Sequence, residues 1–199
     1  MKILLVNLPL SGHVIPAIGL AQKLVKLGCE VTYMLPHSWE KQIRSSGVTF
    51  HGYNGDRKFA SQIKNAYDAA DAIMDDYDLL IYEGFFFVGK HLAEKHGKPA
   101  VKIHTAAVNK TLFKQLLQKG HLSILQLKWL ARKFTKDVAN GIILKTDNRM
   151  EEIVETPQDL NLVYLLQEFQ PYPEEFPEEH CLFLGAGTGG CDHVLQPLL

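Results

Sequence analysis

Short apolar runs and amphipathic stretches alternate along almost the whole chain. The runs at residues 3–6, 31–35, 79–82, 100–103, 141–144, 162–165 and 181–184 are apolar and rich in β-branched residues. Continuous rather than alternating apolar strands are buried on both faces, as in a parallel sheet covered by helices. Between them, the periodicity predicts helices over residues 14–27, 58–74, 87–96 and 111–138, the last broken near Gly120 and His121. Strand and helix in regular alternation predict an α/β fold: a Rossmann-like, doubly wound parallel sheet with helices on both faces.

The first helix illustrates the pattern. Ala17, Leu20, Ala21, Leu24 and Val25 recur at helical spacing and give one apolar stripe for the sheet. Pro16 is placed in the first turn, where amides have no intrahelical acceptor to lose. Gly28 stands where a left-handed C-cap is wanted before the next strand. From Thr156 the texture changes, and "QEFQPYPEEFPEEH" reads as an extended surface segment leading to a last short strand. The expected division is a domain over residues 1–185 and a glycine-rich tail over 186–199.

Composition narrows the classes. With 199 residues, 46% hydrophobic and 22% charged, the chain has enough apolar material for one large domain. A net charge of -1 gives no reason to expect nucleic acid or an anionic membrane as partner. No apolar stretch reaches the roughly 18 residues of a transmembrane helix, and the apolar start "MKILLVNLPL" reads as a buried strand rather than a leader. Cys29, Cys181 and Cys191 are odd in number and widely spaced, which argues against a disulfide framework or zinc site. They read as reduced cysteines of a cytoplasmic protein. No metal is expected.

The candidate chemistry lies where strands give way to helices. In parallel α/β sheets, ligands gather outside the carboxyl ends of the strands. His13, in "LPLSGHVIPAIGL", follows the first strand and opens the first helix, with Ser11 and Gly12 beside it. It reads either as a polar capping residue or as a base, since a helix N-terminus favours a neutral ring. "DLLIYEGFFFVGKHLAEKHGKPAVKIH" repeats the layout, with Glu83 at the carboxyl end of a buried strand. Glu83 is either a solvated turn residue or the carboxylate that orients His13. Phe85, Phe86 and Phe87, with the leucine-rich region 112–129, are either core or the wall of an apolar pocket. His104 and Thr105 end another strand and are candidate ligand contacts.

Three stretches, taken in order, resemble the acceptor-binding half of nucleotide-sugar-dependent glycosyltransferases of the two-domain GT-B fold, in particular their macrolide- and flavonoid-modifying bacterial branch. "GHVIPAIGLAQKLVKLGCEVTYM" carries Gly12, His13, Pro16, Leu20 and Ala21 of the family's first motif. "DLLIYEGFFFVGKHLAEKHGKPAVKI" matches its strand–helix–strand unit, and "EFQPYPEEFPEEHCLFLG" matches the segment that closes its N-terminal domain. The resemblance implies that His13 is the general base removing a proton from an acceptor hydroxyl. That oxygen would then attack the anomeric carbon of a nucleotide sugar such as UDP-glucose, with inversion. Glu83 stands where the family has an aspartate, and its extra methylene either reaches the imidazole or displaces the carboxylate.

The resemblance further implies a small, hydrophobic, hydroxylated acceptor. Phe85, Phe86, Phe87, His104 and Thr105 would line its site, and Ser11 and Gly12 would face the donor. No organic cofactor is implied beyond the co-substrate. The family's donor-binding domain is not among these residues, so turnover is expected to need a donor domain, in the same polypeptide or as a separate subunit. Two other readings stand beside this one: a non-catalytic acceptor-binding or split-subunit protein, and an unrelated nucleotide-dependent α/β enzyme. The latter would use Gly185, Gly187 and Gly190, a formal dinucleotide fingerprint that lacks the following helix, strand and acidic residue the mechanism requires.

Overall fold

The computed structural model describes residues 1–105, 111, 115, 160–176 and 179–185. Its elements are β1 (Lys2–Val6), α1 (Ser11–Lys26), β2 (Glu30–Pro36), α2 (Glu40–Ser45), β3 (Thr49–Tyr53), α3 (Phe59–Asp71), β4 (Leu79–Glu83), α4 (Gly89–Lys95), β5 (Ala100–His104), β6 (Leu160–Val163) and β7 (Cys181–Phe183). The seven strands form one sheet in the order β3-β2-β1-β4-β5-β6-β7. Every neighbouring pair is parallel. The order reverses between β1 and β4, and the crevice at their carboxyl ends is the usual ligand position of such sheets.

Strand periodicity divides the core into two layers. Ile3, Leu5, Val31, Tyr33, Leu35, Ile81, Val101 and Ile103 face Val14, Ala17, Ala21 and Leu24 of α1 and Ile43 of α2. Leu4, Val6, Met34, Leu80 and Tyr82 face Ile63, Ala66 and Ala70 of α3 and Leu92 and Ala93 of α4. Both faces are therefore covered, which is why these strands read as unbroken apolar runs. Helix α4 approaches closely: a Cβ at Gly89 would lie 2.4 Å from the Tyr82 ring, so only glycine fits that crossing.

The structure departs from the sequence reading at several edges. Helix α1 begins at Ser11, so His13 belongs to its first turn and Pro16 is its sixth residue. Pro16 consequently has no amide to offer the Gly12 carbonyl four residues back. Strand β4 runs on to Glu83, which makes that carboxylate part of the sheet rather than of a turn. Strand β3 escapes the sequence reading because "TFHGY" is an edge strand with a mixed burial pattern. Gly52 within it accommodates the His37 ring, which would stand 2.3 Å from a Cβ there. Gly28 does take positive φ, at 87°. The predicted strand at 141–144, most of the predicted helix 111–138 and the tail 186–199 lie outside the described residues. Thr111 and Gln115 are described as helical, and hydrogen-bond to Glu175 and Tyr172 respectively.

Candidate active site

His13 and Glu83 meet at the reversal of strand order. Residues 3, 5 and 7 of β1 and its extension point to the α1 side, as do residues 79, 81 and 83 of β4, because successive side chains alternate faces. The carboxylate of Glu83 therefore rises beneath the first turn of α1. His13 Nδ1 lies 2.8 Å from Glu83 Oε1. The second carboxylate oxygen, Oε2, accepts the Phe85 amide at 3.0 Å. Thus the Glu83 side chain is held at both oxygens and reaches the imidazole. Glu83 is buried, while the His13 side chain retains 19% exposure. With Nδ1–H donating to the carboxylate, Nε2 carries the free lone pair and meets no hydrogen-bonding partner among the described residues.

The remaining candidates divide by the same alternation. Thr105 shares the parity of Val101 and Ile103, and its Oγ1 lies 3.2 Å from His13 Nδ1. It touches the His13 ring at the Glu83 side, so it is a neighbour of His13 rather than a wall of a separate pocket. His104 has the opposite parity and is buried on the far face of the sheet, where Nε2 lies 3.3 Å from Asn161 Oδ1. Burial, reinforced by the nearby Lys102 charge, pushes the His104 ring down to about 3, so it stays neutral. His104, the last residue of β5, and Thr105, just beyond it, therefore lie on opposite sides of the sheet rather than together at one site.

The three phenylalanines separate likewise. Phe86 and Phe87 are buried in the α3/α4 layer with Leu4, Val6 and Tyr82, which removes them from any ligand-facing wall. Phe85 is 39% exposed, and its ring centroid lies 5.1 Å from that of His13. Phe59, at the start of α3, adds a second exposed ring set edge-on to Phe85 at 6.4 Å. Sequence reading missed Phe59; the signal was an aromatic residue opening a helix at a strand's carboxyl end. Ser11 and Gly12 are exposed, and nothing in the described chain lies within 4 Å of a Cβ placed on Gly12.

Among the described residues, no group of three or more His, Cys, Asp or Glu side chains is arranged to hold a metal ion. No helix among them is long and apolar enough to cross a membrane. Cys29 is a buried free thiol, and Cys181 is buried in the small cluster with Val163 and Phe176. Gly185 takes the left-handed conformation at φ 69°, with Leu166 packed beside it; Gly187 and Gly190 lie outside the described residues.

No protein-family model matches the chain. It is 27% identical to the NDP-glycosyltransferase YjiC of Bacillus licheniformis, over 86% of this chain and 48% of that protein. It is 24% identical to the NDP-glycosyltransferase YjiC of Bacillus subtilis, over 93% of this chain and 50% of that protein. The chain thus spans about half the length of the curated relatives it matches. Among solved structures, the calicheamicin glycosyltransferase CalG4 superimposes with a TM-score of 0.72 at 23% identity, covering 92% of this chain and 52% of that one. The glycosyltransferase of kitacinnamycin does so with a TM-score of 0.75 at 20% identity, covering 95% and 52%. At these identities the structural likeness speaks to the fold, and the curated relatives carry the likeness in sequence. Taken together, the chain matches the N-terminal domain of the GT-B nucleotide-sugar glycosyltransferases.

Proposed function

We propose that this chain is the acceptor-side half of an inverting nucleotide-sugar glycosyltransferase, with His13 as general base and Glu83 as its orienting carboxylate. The observation that carries the reading is the 2.8 Å contact between His13 Nδ1 and Glu83 Oε1 at the strand-order reversal, with Nε2 left open. Nε2 takes the proton of an acceptor hydroxyl as that oxygen bonds to the anomeric carbon. The bond from that carbon to the nucleoside diphosphate breaks, and its electron pair departs with the phosphate. Attack from the face opposite the leaving group inverts the configuration. Glu83 holds the ring in the tautomer that leaves Nε2 free, then stabilises the positive charge once the proton has moved. Phe85 offers an apolar face beside the base for a small hydrophobic acceptor. Stabilising the departing diphosphate belongs to a donor-binding half, so the chain alone is expected not to turn over.

The test completes the site. The chain joined to the donor-side half of the Bacillus licheniformis relative should transfer glucose from UDP-glucose to a phenolic acceptor. His13→Ala should reduce that rate by about 10²–10⁴-fold, the usual contribution of a positioned base. Undiminished transfer by His13→Ala would overturn the reading. Ligand-observed NMR on the chain alone should show acceptor binding without UDP binding, and tight UDP binding would count against an acceptor-side role.

A further inference from the structure

His13 is held by more than the carboxylate at its ring. Asn7 lies just beyond β1 and is completely buried on the α1 side. Its Nδ2 donates to the main-chain carbonyl of His13 at 3.1 Å. Its Oδ1 is buried and has no hydrogen-bonding partner among the described residues. An apolar residue of the same volume would fill the place without orphaning an acceptor, so packing alone does not account for an asparagine here.

The first turn of α1 gives the amide something to do. The turn opens at Leu10, which supplies no side-chain cap, and Pro16 withholds the amide that the Gly12 carbonyl would otherwise receive. The helix therefore holds the turn that carries His13 with fewer bonds of its own than usual. Two neighbouring strands make up the difference from below. Asn7 grips the carbonyl of His13 itself, and the Tyr33 hydroxyl of β2 reaches the Val14 carbonyl at 3.4 Å. The Tyr33 contact is long and the Asn7 contact is not.

We propose that Asn7 is a positioning residue: its buried amide fixes the first turn of α1 so that the His13 ring reaches Glu83 with Nδ1 protonated and Nε2 open. The consequence for transfer rests on His13 being the base, but the placement of the ring does not. A residue that costs stability through an orphan acceptor while gripping the base's own backbone is the trade expected of a functional site.

The test reads the ring directly. In the 199-residue chain labelled with ¹⁵N, long-range ¹H–¹⁵N correlation should show neutral His13 with Nδ1 protonated and Nε2 bare. Asn7→Leu should leave the thermal midpoint unchanged or raised, yet shift the ring towards the Nε2–H tautomer that predominates in free imidazole side chains. Asn7→Asp puts an acceptor where the amide donated, and should shift the tautomer in the same direction. In the completed enzyme, Asn7→Leu should lower kcat by about 100-fold with KM little changed, as for a base misplaced by about 1 Å. A wild-type tautomer in both variants would overturn the proposal, as would a lowered midpoint with the tautomer intact. If the completed enzyme transfers no sugar but the variants still shift the tautomer, the transferase reading fails and the positioning role stands.

Discussion

The sheet carries a histidine–carboxylate site at each end, and they are built to opposite purposes. At the carboxyl ends of the strands, His13 meets one carboxylate through Nδ1 and keeps Nε2 open. At the amino ends, His96 is bracketed: Nδ1 lies 2.7 Å from Asp75 and Nε2 lies 2.9 Å from Asp71. Two carboxylates on two ring nitrogens favour two N–H donors, so they hold His96 towards the imidazolium. His96 also caps the C-terminus of α4, where the helix dipole favours a cation, whereas His13 lies in the first turn of α1. Lys95 adds its ammonium to both oxygens of Asp71, at 2.6 and 2.7 Å, and Lys98 donates to the Asp75 carbonyl. One histidine keeps a ring nitrogen open and the other has both engaged. The number of carboxylates, rather than their presence, separates the open ring from the clamped one.

The sharpest way to break the contrast is at Glu83. Glu83→Gln keeps the shape but removes the charge that steadies the protonated ring and allows the amide to present its own hydrogen to Nδ1. In the completed enzyme this should lower kcat by about 10²–10⁴-fold, the range for a base that loses its task. Glu83→Asp is subtler. The strand backbone is fixed by pairing with β1 and β5, so shortening the side chain withdraws the carboxylate from a 2.8 Å bond. The bond to the Phe85 amide should be lost with it. A fall of about 100-fold is expected, and full activity of the aspartate variant would show that the site does not depend on the longer arm.

These geometries also show what the sequence could reveal. The apolar runs gave away six of the seven strands in the described residues, because burial on both faces leaves a continuous signal. The edge strand β3 stayed hidden because only part of it is buried. That His13 and Glu83 meet was legible from their positions at strand ends and from the ordered motifs. The separation of Phe85 from Phe86 and Phe87, and of His104 from Thr105, was not. It depends on where each backbone turns, and a one-residue difference sends a side chain to the other face. Asn7 gave no signal at all: its role comes from α1 starting three residues earlier than periodicity suggests.

The clamp makes a milder prediction, with its own pH window. The carboxylates raise the His96 ring above the ordinary histidine value, the Asp75 bond first and the Asp71 bond second. That contribution to stability is complete below the unfolded value near 6.5 and disappears as pH rises through the higher folded value. The Lys95 and His96 bonds depress Asp71, so its contribution holds above the ordinary carboxylate value and is lost as pH falls through the lower folded one. His96→Gln should therefore lower the thermal midpoint by about 2–4 °C near pH 6, the shift expected from about 1 kcal/mol in a chain this long. Near pH 9 the variant and the native chain should converge. A difference that persists unchanged at pH 9 would mean that His96 acts by packing rather than charge.

The smallest effect should lie within the clamp itself. Asp75 is 85% exposed and Asp71 only 28%. Water and salt screen the more exposed pair, and Asp71 additionally holds Lys95, which keeps its charge after His96 has lost its own. Asp71→Asn should thus destabilise the chain at both pH 6 and pH 9, whereas Asp75→Asn should act only at the lower pH and by less. Raising the salt to about 1 M should erase most of the Asp75→Asn difference while leaving part of the Asp71→Asn one. Equal losses for the two variants at pH 6 would mean that His96 is gripped symmetrically. The exposed aspartate would then be as much a part of the clamp as the sheltered one, despite its access to solvent.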